Sequence, residues 1–236
     1  MGSPMPIRAV LFDLDGTLLD SNMESFLPNY LKALSASVAH LVAGERFIQC
    51  LLEATQAMMD NDGRETNAEV FARAFYQKLG HPRESLEPVF ERFYEQEYPK
   101  LGYLTRRIPE ARRVVRSAFE LGRKVVIATN PLFPAKAITF RMQWAGIDGL
   151  PYSLVTSYEN SRACKPNLRY FADILARLDL PAEACLVAGN EDLDMVAARL
   201  GCPTFLVLDH AAALGPKIPK PTYRGSLLDL EKLLAC

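Results

Sequence analysis

The stretch Arg8-Ala9-Val10-Leu11-Phe12-Asp13-Leu14-Asp15-Gly16-Thr17-Leu18-Leu19-Asp20-Ser21 decides how this chain is read. An apolar run ends abruptly in two carboxylates one residue apart, followed by a glycine and a threonine. An unbroken run of this kind predicts a strand buried on both faces, as in parallel sheets. Its polar end then emerges at the carboxyl edge of the sheet, where open α/β folds hold their ligands. Two unpaired carboxylates so close together are costly to bury, so a strongly positive partner is expected, a metal ion first of all. Asp13 and Asp15 then either share a cation or divide attack and proton transfer between them.

Beyond Ser21 the period of the pattern changes. Phe26, Tyr30, Leu31, Leu34, Val38 and Leu41 recur at helical spacing, and Phe47, Ile48, Leu51, Leu52 and Met58 continue it. A third helix is predicted through Val70, Phe71, Ala74, Phe75 and Leu79, stopped by Gly80, and a fourth through Val89, Phe90, Phe93 and Tyr94. Residues 21–105 thus read as an all-helical insert with a core of its own.

The remainder alternates. Helices are predicted from Pro109 to Gly122, over 134–145, 167–178 and 193–200, and after a capping Ser226. Strands are predicted over 124–130, 152–156, 184–189 and 204–208, with 211–220 as a loop. Such alternation argues a parallel sheet with helices on both faces.

Three strand ends carry polar residues: Asp13 with Asp15, Thr129 with Asn130, and Asn190 with Glu191, Asp192 and Asp194. Lys165-Pro166 falls between the last two groups. The set offers a nucleophile, a proton donor, amide and hydroxyl donors, a cation and further acids. Phosphoryl transfer, which needs positioning and charge neutralisation, suits such parts.

In order and spacing, these four stretches resemble the motifs of the haloacid dehalogenase-like hydrolase superfamily across the whole chain. The helical insert resembles the cap of the subfamily that includes phosphoglycolate phosphatase and β-phosphoglucomutase. The resemblance implies a Rossmann-like α/β core over 1–20 and 106–236 and a helical cap over 21–105. It implies that Asp13 attacks phosphorus to give an aspartyl-phosphate, and that Asp15 protonates the leaving group and then activates water. Thr129 and Asn130 would hydrogen-bond the phosphoryl oxygens, and Lys165 would offset charge on phosphate and nucleophile. Mg²⁺ would be held by Asp13, the Asp15 carbonyl and an acid of the fourth stretch. There the family pattern has Asp directly after Gly189, whereas this chain has Asn190. An amide oxygen is a poorer Mg²⁺ ligand, so Glu191, Asp192 or Asp194 takes the role, with Asp194 favoured.

The expected activity is therefore a Mg²⁺-dependent phosphatase acting on a small phosphorylated metabolite, with the cap closing over the site about hinges near 20–22 and 104–108. A sugar-phosphate phosphomutase and a non-catalytic module that senses a phosphorylated ligand are the alternatives. Dehalogenase chemistry fits poorly, because family dehalogenases lack the second aspartate and Asp15 is present. A phosphonate hydrolase would need a cap lysine, and the place of Lys32 on its helix lends no support.

Composition narrows the setting. Of 236 residues, 49% are hydrophobic and the formal net charge is −1, so neither nucleic acid nor anionic lipid is expected as partner. Nothing approaches the length of a membrane span. The odd, scattered cysteines (Cys50, Cys164, Cys185, Cys202, Cys236) and distant histidines (His40, His81, His210) show no metal spacing and suit reduced thiols in a cytoplasmic protein, and a monomer or homodimer is expected. Cys164, beside Lys165, is the one candidate for a reactive thiol. The basic group Arg106, Arg107, Arg112 and Arg113 reads as a solvated face. Glu24, Asn29 and the polar 60–67 segment are candidate cap contacts for a substrate.

Overall fold

A computed structural model describes residues 6–209, 211 and 213–235; His210 and Cys236 lie outside them. The strands and helices follow in the order β1 (Ala9–Phe12), β2 (Leu19–Ser21), α1 (Met23–Val38), α2 (Gly44–Met59), α3 (Asn67–Leu79), α4 (Arg83–Arg92), β3 (Thr105–Arg107), α5 (Ala111–Glu120), β4 (Lys124–Ile127), α6 (Ala135–Ala145), β5 (Leu154–Val155), α7 (Leu168–Leu178), β6 (Cys185–Gly189), α8 (Asp192–Met195), β7 (Thr204–Val207), β8 (Tyr223–Gly225) and α9 (Leu227–Ala235).

The main sheet runs β5-β4-β1-β6-β7-β8, and each neighbouring pair is parallel. β1 lies between β4 and β6 and is completely buried, as its apolar run requires. Side chains alternate across a strand. Val10 and Phe12 accordingly join a core with α5, α6 and α9, while Ala9 and Leu11 join another with α7 and the turn after α8. Both faces of the sheet are covered, and the fold is the expected doubly covered α/β core with a helical insert.

The insert packs Phe26, Tyr30, Leu34, Phe47, Phe75, Phe93 and Tyr98 into its own apolar cluster. Local signals place its helices. Asn22 caps α1 by accepting from Glu24 N–H; Thr66 and Glu69 form a capping box at α3; and Gly80 ends α3 in the left-handed conformation. The fourth helix goes further than its aromatic spacing indicated. It passes into a π turn, Phe93–Glu97, and a 3-10 segment, Tyr98–Leu104. The insert is not insulated from the core. Helix α6 gives Ile138, Met142 and Ala145 to the sheet side and Ala137, Phe140 and Trp144 to the insert's cluster.

Two strands went unpredicted around the insert. β2 and β3 pair antiparallel, Leu19 with Arg107 and Ser21 with Thr105, so the two expected hinges form a single ribbon. β8 adds a sixth strand beyond the five expected, on the edge beside β7. The predicted strand over 152–156 is shorter than its sequence pattern, and the helix expected over 193–200 begins at Asp192 and tightens to 3-10 from Val196.

Candidate active site

Register brings the site together. Phe12 lies opposite Ile127 on one side and Ala188 on the other, so the residues that follow all three emerge at one edge. The Asp13 amide donates to the Ala188 carbonyl (2.8 Å), and the Ala128 amide donates to that of Phe12 (2.7 Å). Beyond Asp13 the chain folds at once into a turn that requires Gly16, where φ is +82° and a Cβ would meet the Asn190 side chain.

At the centre stands Lys165, 2% exposed, its ammonium donating to Asp13 Oδ1 at 2.8 Å and to Asp194 Oδ1 at 2.6 Å. Thr17, fully buried, donates its hydroxyl to Asp13 Oδ2 at 3.0 Å and lies 3.1 Å from Asn190 Oδ1. Burial alone would depress the Lys165 pKa, but its two carboxylate partners outweigh this and hold it above the ordinary lysine value. Burial raises the Asp13 carboxyl against the pull of Lys165, and the charge of Asp194 adds to the rise. Asp194 is raised for the same first reason, and Glu191 by burial and then by Asp13.

The Thr129–Asn130 turn is fixed from behind. Tyr170 and Thr156 both donate hydroxyl hydrogens to the Thr129 carbonyl, at 2.9 and 2.8 Å. Asn130 Oδ1 accepts from the Lys165 amide at 3.1 Å and ties the two loops together. Asp15 is held by Arg141 of α6, an ion pair that the sequence pattern did not bring forward. A signal was present, since Ala137, Ile138, Arg141, Met142 and Ala145 are the buried positions of α6 and Arg141 falls on their apolar stripe.

The fourth stretch divides. Asp194 points at Lys165, and the carboxyl of Asp194 fills the space that a Cβ at Gly189 would need. Asp192 instead accepts from the Gly215 amide in the loop beyond β7. Among the described residues no three acidic, histidine or cysteine side chains form a ready metal cluster, and Lys165 stands between Asp13 and Asp194. The donor set still suits a hard cation. Asp194 Oδ2 and Asp15 Oδ1 are buried without a hydrogen-bond partner, and four carboxylates (Asp13, Asp15, Glu191, Asp194) face two cations.

Other expectations resolve simply. Cys164 is buried and its pKa is pushed up to about 12 by desolvation, which makes it inert, and the four described cysteines are free thiols. Asn61 and Asn67, from the polar 60–67 segment, are buried, and Asn67 reaches the core. Asn67 Nδ2 donates to the Pro131 carbonyl at 3.1 Å, and Asn61 Nδ2 donates to Asn67 Oδ1 at 2.8 Å. Glu24 is exposed, and Asn29 turns back to the Ser25 carbonyl. The four arginines do not act as one group: Arg106 pairs with Asp20 and Arg113 with Glu231, while Arg112 donates to the Gly146 carbonyl and Arg107 lies against the same glycine. No helix among the described residues is long and apolar enough to cross a membrane.

The chain is similar to known proteins in sequence and in fold. The chain is 28% identical to a phosphoglycolate phosphatase of Xanthomonas campestris pv. campestris over 203 residues, covering 85% of this chain and 83% of the relative. It is 28% identical to that of Vibrio cholerae over 207 residues, 84% and 83% of the two chains. In fold it resembles a HAD phosphatase from Thermococcus onnurineus (TM-score 0.59, 17% identity, 97% and 98% covered). It likewise resembles the L-2-haloacid dehalogenase of Xanthobacter autotrophicus (TM-score 0.57, 18% identity, 97% and 98% covered). The profile of the haloacid dehalogenase-like hydrolases matches residues 7–200, and the chain belongs to that family.

Proposed function

We propose that this hydrolase is a phosphatase that cleaves a small phosphate monoester through an aspartyl-phosphate on Asp13. The observation that carries the reading is the separation of the paired aspartates. Asp13 is gripped by Lys165 and Thr17, while Asp15, two residues on, answers to a different cation. One carboxylate attacks while the other moves protons. An Asp13 oxygen attacks phosphorus, the ester P–O bond breaks, and the leaving oxygen takes the Asp15 proton. Water then attacks the aspartyl-phosphate as Asp15 takes a proton from it, which frees inorganic phosphate and restores Asp13. Thr129 and the Asn130 amide nitrogen orient the phosphoryl oxygens, and Lys165 offsets the charge that builds on them.

The unpartnered buried oxygens and the carboxylate excess support Mg²⁺ as cofactor. Asp13, the Asp15 carbonyl and Asp194 would hold it, with Glu191 the better second acid because Asp192 is engaged by Gly215. When bound it neutralises charge on the transferring phosphoryl group. The names of the bacterial relatives make phosphoglycolate the first ester to assay. Free, buried cysteines support a cytoplasmic setting.

The test is phosphate release from phosphoglycolate, an aryl phosphate and a panel of metabolite phosphates, with Mg²⁺ or EDTA. Release is expected with Mg²⁺, to be abolished by EDTA, and to fall on the order of 10³-fold or more in Asp13→Asn. Folded, metal-replete protein that releases phosphate from none of them would overturn the reading in favour of a mutase or a sensing module.

A further inference from the structure

Arg141 is a buried cation to which the steps above give no part beyond its pairing with Asp15. Its side chain is 2% exposed, and Nη1 pairs with Asp15 Oδ2. Nε donates to the Tyr98 hydroxyl at 2.8 Å. The guanidinium lies 4.2 Å from the Phe133 ring centre and 4.6 Å from that of Phe26. Stability is a poor reason to keep such a group, since a buried ion pair often does no better than apolar residues of the same size. The two aromatic faces return part of the desolvation cost. Nη2 and Asp15 Oδ1 are both buried without a partner, so the pair is not even fully satisfied.

The origin of these contacts is more informative. Asp15 and Phe133 belong to the α/β core, whereas Phe26 lies on α1 and Tyr98 opens the 3-10 segment of the insert. A planar guanidinium with five fixed donors transmits the position of one partner to another in a way that a point charge does not. Lys165, by contrast, has its charged partners in the core and touches neither ring nor hydroxyl of the insert.

We propose that Arg141 is a positioning residue that aims the Asp15 carboxyl at the leaving group, with its own position set by Tyr98 and Phe26 of the insert. The inference rests on the phosphatase reading. It makes proton delivery to the leaving oxygen depend on how the insert is seated, and leaves attack by Asp13 to the core alone. Losing the aim of Asp15 should therefore harm esters whose alkoxide must be protonated as the P–O bond breaks. An aryl phosphate, whose phenolate leaves without a proton, should be spared.

The experiment is single-turnover release of the leaving alcohol from phosphoglycolate and from an aryl phosphate. It compares wild type with Arg141→Lys and Tyr98→Phe, each checked for native circular dichroism. Tyr98→Phe removes one hydroxyl and keeps the ring, so it carries the test if Arg141→Lys does not fold. Both variants are expected to slow the alkyl ester by roughly tenfold and the aryl ester by less than about twofold, with KM little changed. In an Asp15→Asn background, Tyr98→Phe should add no further loss on the alkyl ester. Equal losses on both esters, no loss on either, or a full additional loss in the Asp15→Asn background would overturn the inference while the phosphatase reading stands. Wild-type protein that releases neither alcohol would overturn both.

Discussion

Lys165 and Arg141 each face one of the paired aspartates from a buried position, and their surroundings differ in kind. Lys165 is a point charge between two carboxylates, with its backbone amide on Asn130. Arg141 has one carboxylate, one hydroxyl and two rings. The first site is a matter of charge and is built wholly at the sheet edge. The second is a matter of shape and is completed only where the insert meets α6. The difference teaches that two carboxylates on one short turn are governed by separate parts of the molecule.

The comparison is broken most directly by deleting each charge without changing side-chain length much. Lys165→Met leaves Asp13 and Asp194 buried against each other with no cation, and should cost about 3–5 kcal/mol in urea unfolding in EDTA. Arg141→Met puts an apolar chain between Phe26 and Phe133 and strands an Asp15 side chain that is 15% exposed and within reach of water. It should cost less, about 1–3 kcal/mol. Equal costs would mean that the two sites do not differ in the way described.

An effect of the size expected for Arg141→Met probes the seam between the two regions away from both cations. Asn67 is fully buried on the insert and reaches the Pro131 carbonyl on the loop that follows Asn130. Its amide N–H donates to the Ser161 carbonyl at 2.8 Å, and that of Ala68 to Tyr158 at 2.9 Å, so the first turn of α3 is bonded to the core. Asn67→Ala leaves the Pro131 carbonyl and one hydrogen of the Asn61 amide, whose other bond goes to the Glu65 carbonyl, without their partner, and should destabilise the protein by about 1–3 kcal/mol. Hydrogen exchange should show the loosening in 60–68 and 131–134 before it reaches β1.

The smallest effect marks the limit of an exposed charge. The Asp229 carboxyl at the start of α9 accepts from the hydroxyl and the amide of Ser226, and these bonds, with Lys232, lower its pKa to about 2. The folded value lies below the ordinary 3.8. Its stabilising contribution is therefore complete above that value and is lost as pH falls towards about 2. Asp229→Asn should flatten this acid limb in a pH series of urea midpoints, with its loss of stability present in full at neutral pH and vanishing towards pH of about 2.

How much of this was legible depended on how each feature is encoded. The buried strands and the main helices were readable because periodicity and capping residues write them locally: Ala9–Phe12 is apolar throughout, and Gly80 and Gly146 stop helices in the left-handed conformation. β2, β3 and β8 were not, because three residues are too few to show a period and their pairing comes from partners far along the chain. The carboxylates around Lys165 were foreseeable because they follow β1 and β6, and Lys165 because it lies on the loop before α7. The detail of the cluster was not, since nothing in Glu191-Asp192-Leu193-Asp194 indicates that Asp192 turns to Gly215 while Asp194 turns inward. Arg141 sat in view, a charge on the apolar stripe of α6. Its importance lies in Asp15 and Tyr98, which only the fold brings to it.

The register of β1 has a consequence for the order in which this molecule comes into being. Ala9 leaves the ribosome before either of its two lateral partners, Lys124 and Cys185. The edge that bears Asp13 and Asp15 therefore cannot exist until Cys185–Gly189 has been synthesised, by which time every helix of the insert is complete. Loop closure over such separations is slow, and nascent chains fold their finished units first. β1 thus waits with its apolar residues unpaired until Cys185–Gly189 has been made, while the insert that follows it already has its whole sequence in hand.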